Sequence, residues 1–150
     1  VRIPLAPAIT AAAEDAGLTA EGVRLVRSIP ARLSIQADGD QLHRVLVNLM
    51  RNARQAIESD PTRRTGSKGV VRVTASTEDG DCIIHIADDG PGIPPRLSES
   101  LFEPFVSGRA SEGAGLGLAI SRELAANHGG ALTLVETGPM GTTFALRLPH

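Results

Sequence analysis

Between Asp40 and Ile57 the apolar residues Leu42, Val45, Leu46, Leu49, Ala53, Ala56 and Ile57 recur at spacings of three, four and one. That spacing predicts an amphipathic helix, with Asp38 or Asp40 as its cap. An apolar stripe of this length has to be covered by another layer, and that requirement shapes the remaining chain. At 150 residues the chain fits one domain with a substantial core. Aromatic residues make up 2% of it, with neither Trp nor Tyr, so the core has to be aliphatic.

The flanking segments supply candidates for that second layer. Leu5 to Ala16 predicts a helix ended by Gly17, and Val23 to Ile29 and Leu33 to Ile35 predict strands on either side of Pro30. After a polar loop from Asp60 to Gly69, Val70 to Thr77 and Cys82 to Ala87 form an antiparallel hairpin around Asp79-Gly80. A Gly- and Pro-rich stretch from Asp88 to Gly115 contains at most a short helix near Arg96 to Phe102. A helix from Leu116 to Asn127 then stops at Gly129-Gly130, and strands Ala131 to Val135 and Thr142 to Leu148 flank a turn at Thr137 to Gly141. Strands and helices mix without regular βαβ alternation, which predicts a two-layer α/β (α+β) domain over residues 1–150.

Charge and cysteine content narrow the function. The net charge is −2, and the basic residues are scattered among acids, so nucleic acid is not an expected partner. Cys82 is the one cysteine, which excludes an intrachain disulfide and a cysteine zinc cage and fits a reducing compartment. No apolar run approaches the ~20 residues that span a bilayer, and the first residues do not resemble a signal sequence. A cytoplasmic location without direct membrane contact is expected, any membrane segment lying outside these residues.

Three segments carry candidate chemistry. Asn48 and Asn52 lie four apart on one helix face beside the apolar stripe; an amide oxygen there suits a hard cation such as Mg2+, and a solvated face accounts for the pair equally well. In Asp88-Asp89-Gly90-Pro91-Gly92-Ile93-Pro94, a carboxylate at a strand end can accept a hydrogen bond from an exocyclic amine, while glycines admit a flat ring; the same residues also make an ordinary turn. Gly113-Ala114-Gly115-Leu116-Gly117-Leu118 opens a helix, where free N–H groups and the helix dipole favour phosphate, or it is a hinge. Between these lie Phe102-Glu103-Pro104-Phe105, lid latches or packing anchors, and Arg109, placed to reach a γ-phosphate or plain solvent.

Taken in order, the segments resemble the N, G1, F, G2 and G3 boxes of the histidine kinase catalytic domain, a Bergerat-fold member of the superfamily with gyrase, mismatch-repair ATPases and ATP-driven chaperones. The N box is Asn48-Leu49-Met50-Arg51-Asn52-Ala53 within residues 40–57, the G1 box spans 88–93 and the F box Phe102 to Phe105. The G2 box spans 113–118, and the G3 box is Gly141-Thr142-Thr143-Phe144. The resemblance implies a two-layer sandwich with helices on one face of a mixed, mainly antiparallel sheet. It implies ATP and Mg2+ as ligands, with Asn52 on the metal and Asn48 supporting the phosphate side. Asp88 would bind the adenine amine, Gly90, Gly92 and Ile93 would flank the ring, and Thr142 would hold a water or the ring edge. Gly113, Gly115, Leu116, Gly117 and Leu118 would line the phosphates, and residues 94–112, with Phe105 and Arg109, would form a lid. Departures from the common pattern are Asp89 for Asn, Gln55-Ala56 for a basic-aromatic pair, and Arg109 for a lysine.

The resemblance also separates transfer from hydrolysis. In the gyrase, mismatch-repair and chaperone branches a Glu one turn before the metal-ligating Asn activates water. Here that position is Asn48, and an amide cannot serve as a general base near neutral pH. The expected acceptor is a histidine on a dimerisation domain absent from this chain, either N-terminal in the same protein or on a partner chain. His43 and His85 sit inside regular elements, His128 suits a helix terminus, and His150 ends the chain. A response regulator is the expected downstream partner, and the isolated domain is expected to be monomeric. The alternatives are a degenerate regulatory nucleotide-binding module and, behind it, a gyrase-like ATPase.

Overall fold

The chain runs β1 (Arg2–Pro4), α1 (Leu5–Asp15), β2 (Arg24–Ser28), β3 (Ser34–Gln36), α2 (Gly39–Glu58), β4 (Val70–Glu78), β5 (Asp81–Asp88), α3 (Gly117–Asn127), β6 (Ala131–Gly138) and β7 (Gly141–Pro149). This computed structural model describes residues 2–60, 69–94, 102 and 117–150. The expected short helix near residues 96–102 falls almost wholly outside them.

Strands β2-β4-β5-β7-β6 form one sheet in that order, with β2 parallel to β4 and every other pair antiparallel. The sheet is thus mixed and mainly antiparallel. A separate two-stranded sheet pairs β1 with β3, register Ile3 to Ile35. Strand β1 carries no sequence signal, because three residues are too few to show alternation.

The register sorts residues to faces. Val73 pairs with Ile86, Ile84 with Leu146, and Leu146 with Leu132. All five are buried and belong to one core with the helices, so this is the covered face. The other face carries Arg72, Thr74, His85 and Arg147, whose guanidinium pairs with Asp81 at 2.9 Å. One apolar and one polar face is the usual antiparallel compromise.

Helix α2 begins where its cap predicts: Asp38 Oδ1 accepts the Gln41 N–H at 3.1 Å. Its stripe is buried as expected at Leu42, Val45, Leu46, Leu49, Ala53 and Ile57, and Val47 and Met50 join it. Those two share a flank with His43 and Arg54, which reach α1. His43 Nε2 lies 2.7 Å from Asp15 Oδ2, and Arg54 Nε donates to the Ala16 carbonyl at 2.8 Å. Ala56, expected in the stripe, is only half-buried. Each fully buried Leu or Ile contributes about 1.5–3 kcal/mol. Among the described residues no helix is long and apolar enough to cross a membrane.

Cys82 points into this core from β5, and burial pushes its thiol up to about 11. The unfolded thiol titrates at about 8.5, so the folded chain holds that proton more tightly. The resulting stabilisation is complete below about pH 8.5 and fades as pH rises toward 11. Alkylation by iodoacetamide at pH 8 should therefore proceed only at the rate of unfolding, and become fast in denaturant. Labelling at the rate of a free thiol in native buffer would contradict the buried placement.

Candidate functional site

Asp88 ends β5 and stands opposite Thr142 of β7. Counting back by twos, both continue the covered face of Cys82, Ile84 and Ile86 and of Phe144, Leu146 and Leu148. A carboxylate and a hydroxyl thus sit where the apolar face reaches its rim. Thr142 is 5% exposed, and its Oγ1 is 2.9 Å from Thr137 Oγ1, which also accepts the Ile93 N–H at 2.7 Å. Asp88 Oδ1 accepts the Gly90 N–H at 2.9 Å, an Asx turn that starts the loop. Asp89 Oδ1 accepts the Val70 N–H at 3.1 Å, so that carboxylate ties the loop to the start of β4.

Two glycines allow the loop to meet the β6–β7 hairpin. Gly92 has φ +86°, and a Cβ there would collide with the Gly138 carbonyl; Gly141 has φ +136°, and a Cβ there would collide with the Asp88 carbonyl. The hairpin is tighter than its composition predicts. Thr137 and Gly138 pair with Thr142 and Gly141, leaving only Pro139 and Met140 at the tip.

On its other side the loop meets α2. A Cβ on Gly90 would lie 3.3 Å from the Ala56 carbonyl carbon. This contact explains why Ala56 sits at the helix edge and not in the core stripe. Asn52 and Asn48 precede Ala56 by one and two turns, so the three form a half-buried line leading away from Gly90. Their amide oxygens are the donor type a hard cation takes.

Helix α3 packs against α2. At its C-terminal end His128 Nδ1 bonds the Leu124 carbonyl at 2.9 Å, while Nε2 accepts the Asp38 N–H at 3.2 Å. One tautomer satisfies both, so His128 serves as a brace between helices. The end of α3 is thereby fixed beside the start of α2, and the two packed helices run antiparallel. At 1.5 Å per residue, the helix from His128 back to Gly117 is about as long as α2 from Asp38 to residue 49. The first N–H groups of any helix have no partner within it and carry the positive end of its dipole. Leu118, 8% exposed, anchors that first turn.

Asp88, Gly90, Gly92, Ile93 and Thr142 therefore form one cluster; Asn48 and Asn52 extend it along α2, and Gly117 and Leu118 open α3. Phe102 acts as a packing anchor: its ring meets Phe144 edge-on at 6.2 Å and 81°, with the Arg122 guanidinium 5.1 Å from its centroid. Phe105, Arg109, Gly113, Gly115 and Leu116 lie outside the described residues, as does most of the expected lid over 94–112. Among the described residues no three His, Cys, Asp or Glu side chains gather into a metal cluster. Sequence reasoning misses Thr137 as a site residue. Its signal is a threonine five before Thr142, the same-face position of a two-residue hairpin.

Residues 37–150 match the family described as histidine kinase-, DNA gyrase B-, and HSP90-like ATPase. The chain is 40% identical over 140 residues, 89% of its length, to the two-component sensor PprA of Pseudomonas aeruginosa, and spans 15% of that protein. Among solved structures, the mycobacterial sensor histidine kinase MprB matches with a TM-score of 0.81 at 27% identity, over 99% of this chain and 97% of that one. Full-length ShkA in complex with AMPPNP matches with a TM-score of 0.78 at 29% identity, over 99% of this chain and 30% of that one.

Substitution of two glycines checks the loop–hairpin contact. Gly80 has φ +82° with nothing within 4 Å of the place a methyl would take, so Gly80→Ala should cost only backbone strain, about 1–2 kcal/mol. Gly141→Ala adds a collision with the Asp88 carbonyl and should cost clearly more. Equal losses in urea denaturation would mean that the hairpin does not press on the loop.

Proposed function

Because the chain belongs to the histidine kinase-, DNA gyrase B-, and HSP90-like ATPase family and has the Bergerat fold of histidine kinase catalytic domains, we propose that it binds Mg-ATP and donates the γ-phosphoryl group to a histidine on a separate dimerisation domain. The observation that carries this reading is the polarity of the site. An acceptor-only carboxylate at Asp88 stands at one end, and Gly90 meets the end of α2, along which Asn52 and Asn48 lie half-buried. A base at the first end and phosphates at the second would each meet matching chemistry.

In this reading Asp88 accepts a hydrogen bond from the exocyclic amine of adenine, Gly90, Gly92 and Ile93 flank the ring, and Thr142 meets its edge. Guanine would set a carbonyl oxygen against the carboxylate, a mismatch worth about 1–3 kcal/mol. Asn52 is the metal ligand and Asn48 its neighbour on the phosphate side. Gly113, Gly115, Leu116, Gly117 and Leu118 offer backbone N–H groups to the phosphates, Phe105 belongs to the lid, and Arg109 offsets charge on the transferred group. Mg2+, when bound, neutralises phosphate charge. Asn48 cannot take a proton from water, so the site holds ATP for an external nucleophile instead of hydrolysing it.

This chain would then act in the cytoplasm as the catalytic part of a two-component kinase, with the full protein either membrane-anchored or soluble. The similarity to PprA supports a histidine-bearing dimerisation domain and a response regulator as partners, and the likeness to the AMPPNP complex of ShkA supports an adenine nucleotide as ligand.

Calorimetric titration of the chain with ADP, with and without Mg2+, tests the reading. Binding should be Mg2+-enhanced, and its absence at millimolar nucleotide would favour a degenerate regulatory module. Asp88→Asn keeps one acceptor but loses the charge, so affinity should fall about 10- to 100-fold with the melting temperature nearly unchanged. Unaltered affinity would place the base elsewhere.

Asn52→Ala addresses the metal end separately. The variant should bind ADP as the parent does without Mg2+, lose the enhancement by Mg2+, and abolish transfer in the intact kinase. Full transfer activity would remove Asn52 from the metal shell.

A further inference from the structure

We infer that Thr137 is a positioning residue for base recognition, which sets Thr142 as a hydrogen-bond donor beside Asp88 and so makes the site selective for adenine over guanine. The inference rests on the proposed binding of an adenine base at Asp88 and adds a residue and a polarity to it.

A threonine hydroxyl has one proton and two lone pairs. Thr137 Oγ1 receives the Ile93 N–H at 2.7 Å and lies 2.9 Å from Thr142 Oγ1. Two polarities are open for the second contact. If Thr142 donated to Thr137, Thr142 would show only lone pairs toward Asp88, and acceptor would stand beside acceptor. If Thr137 donates to Thr142, the Ile93 N–H, the Thr137 O–H and the Thr142 O–H run head to tail. Each bond in such a chain polarises the next, which favours this order. In that order the Thr142 proton is not taken up by Thr137, and it remains available on the covered face, where Thr142 and Asp88 hold paired positions.

The rim accordingly offers an acceptor at Asp88 next to a donor at Thr142. Adenine presents an amine N–H adjacent to an unprotonated ring nitrogen, N1, and matches both. Guanine presents a carbonyl oxygen adjacent to a ring N–H and mismatches both. Selectivity therefore depends on the backbone N–H of Ile93, relayed through a side chain that need not touch the base. Thr137 is well placed to hold that relay steady: its strand pairs it with Thr142, and the hairpin it belongs to presses on Gly92.

The test titrates the chain with ADP, GDP and 1-deaza-ADP, which replaces ring N1 with C–H, for the parent, Thr137→Val and Thr137→Ser. The parent should prefer ADP over both analogues. Thr137→Val should lose about tenfold in ADP affinity and far less for GDP and 1-deaza-ADP, while Thr137→Ser retains the parent ratios. Equal losses for all three nucleotides, or unchanged ratios, would reduce Thr137 to a structural tie and overturn the inference. If Thr137→Val does not fold, the parent decides, since equal affinity for ADP and 1-deaza-ADP excludes a donor at ring N1. Absence of any ADP binding by the parent would instead remove the adenine reading on which the inference stands.

Discussion

With one face of α2 committed to the inner surface of β4 and β5, and a second flank held to α1 through His43 and Arg54, the helix cannot rotate about its axis. Everything polar on it is then placed by default. Asn48 and Asn52 fall on the edge left between core and solvent, and Ala56 meets Gly90 at the point where the loop leaves β5. A turn of one residue, about 100°, would bring an amide into the aliphatic core, where an unpaired polar group costs about 1–3 kcal/mol. The geometry of the candidate site is thus a consequence of hydrophobic packing at some distance from it.

The second helix is positioned from its far end. His128 joins the C-terminus of α3 to the backbone N–H of the residue that caps α2, and the antiparallel packing carries that alignment to Gly117. The Asp88 end is set independently, by strand register in β5 and β7 and by the contacts of Thr137 and Gly141. The two ends of the site therefore draw on different parts of the fold, with the sheet controlling one and helix packing the other.

Much of this was legible in the chain itself, and for identifiable reasons. The period of α2 and its Asp38 cap are local signals, and so is the Asp79-Gly80 turn, whose φ values of +52° and +82° suit a hairpin between β4 and β5. The spacing of Asn48 and Asn52 predicted a shared face correctly. Pairings between distant segments left no such trace: β1 finds β3, and β2 lies parallel to β4, through backbone bonds that any side chains permit. The turn after β6 misled because Gly138, Pro139 and Gly141 resemble a loose loop, whereas Thr137 and Thr142 extend the ladder to its tip.

The glycines show why a motif and its geometry carry different information. Glycines at 90 and 92 suggest a backbone that must approach a flat ligand, yet each also lies against the chain's own backbone, Gly90 on Ala56 and Gly92 on Gly138. Gly141 does the same against Asp88. Close packing of loop and hairpin is therefore sufficient to require glycine at 92 and 141 without any ligand, while at 90 a Cβ would only be tight against the Ala56 backbone. In the proposed function, recognition falls to the groups that this packing fixes in space, the Asp88 carboxylate and the Thr142 hydroxyl. Because backbone contacts hold them, little ordering would remain to be done if a base bound there, and a site ordered in advance gains affinity by avoiding that cost.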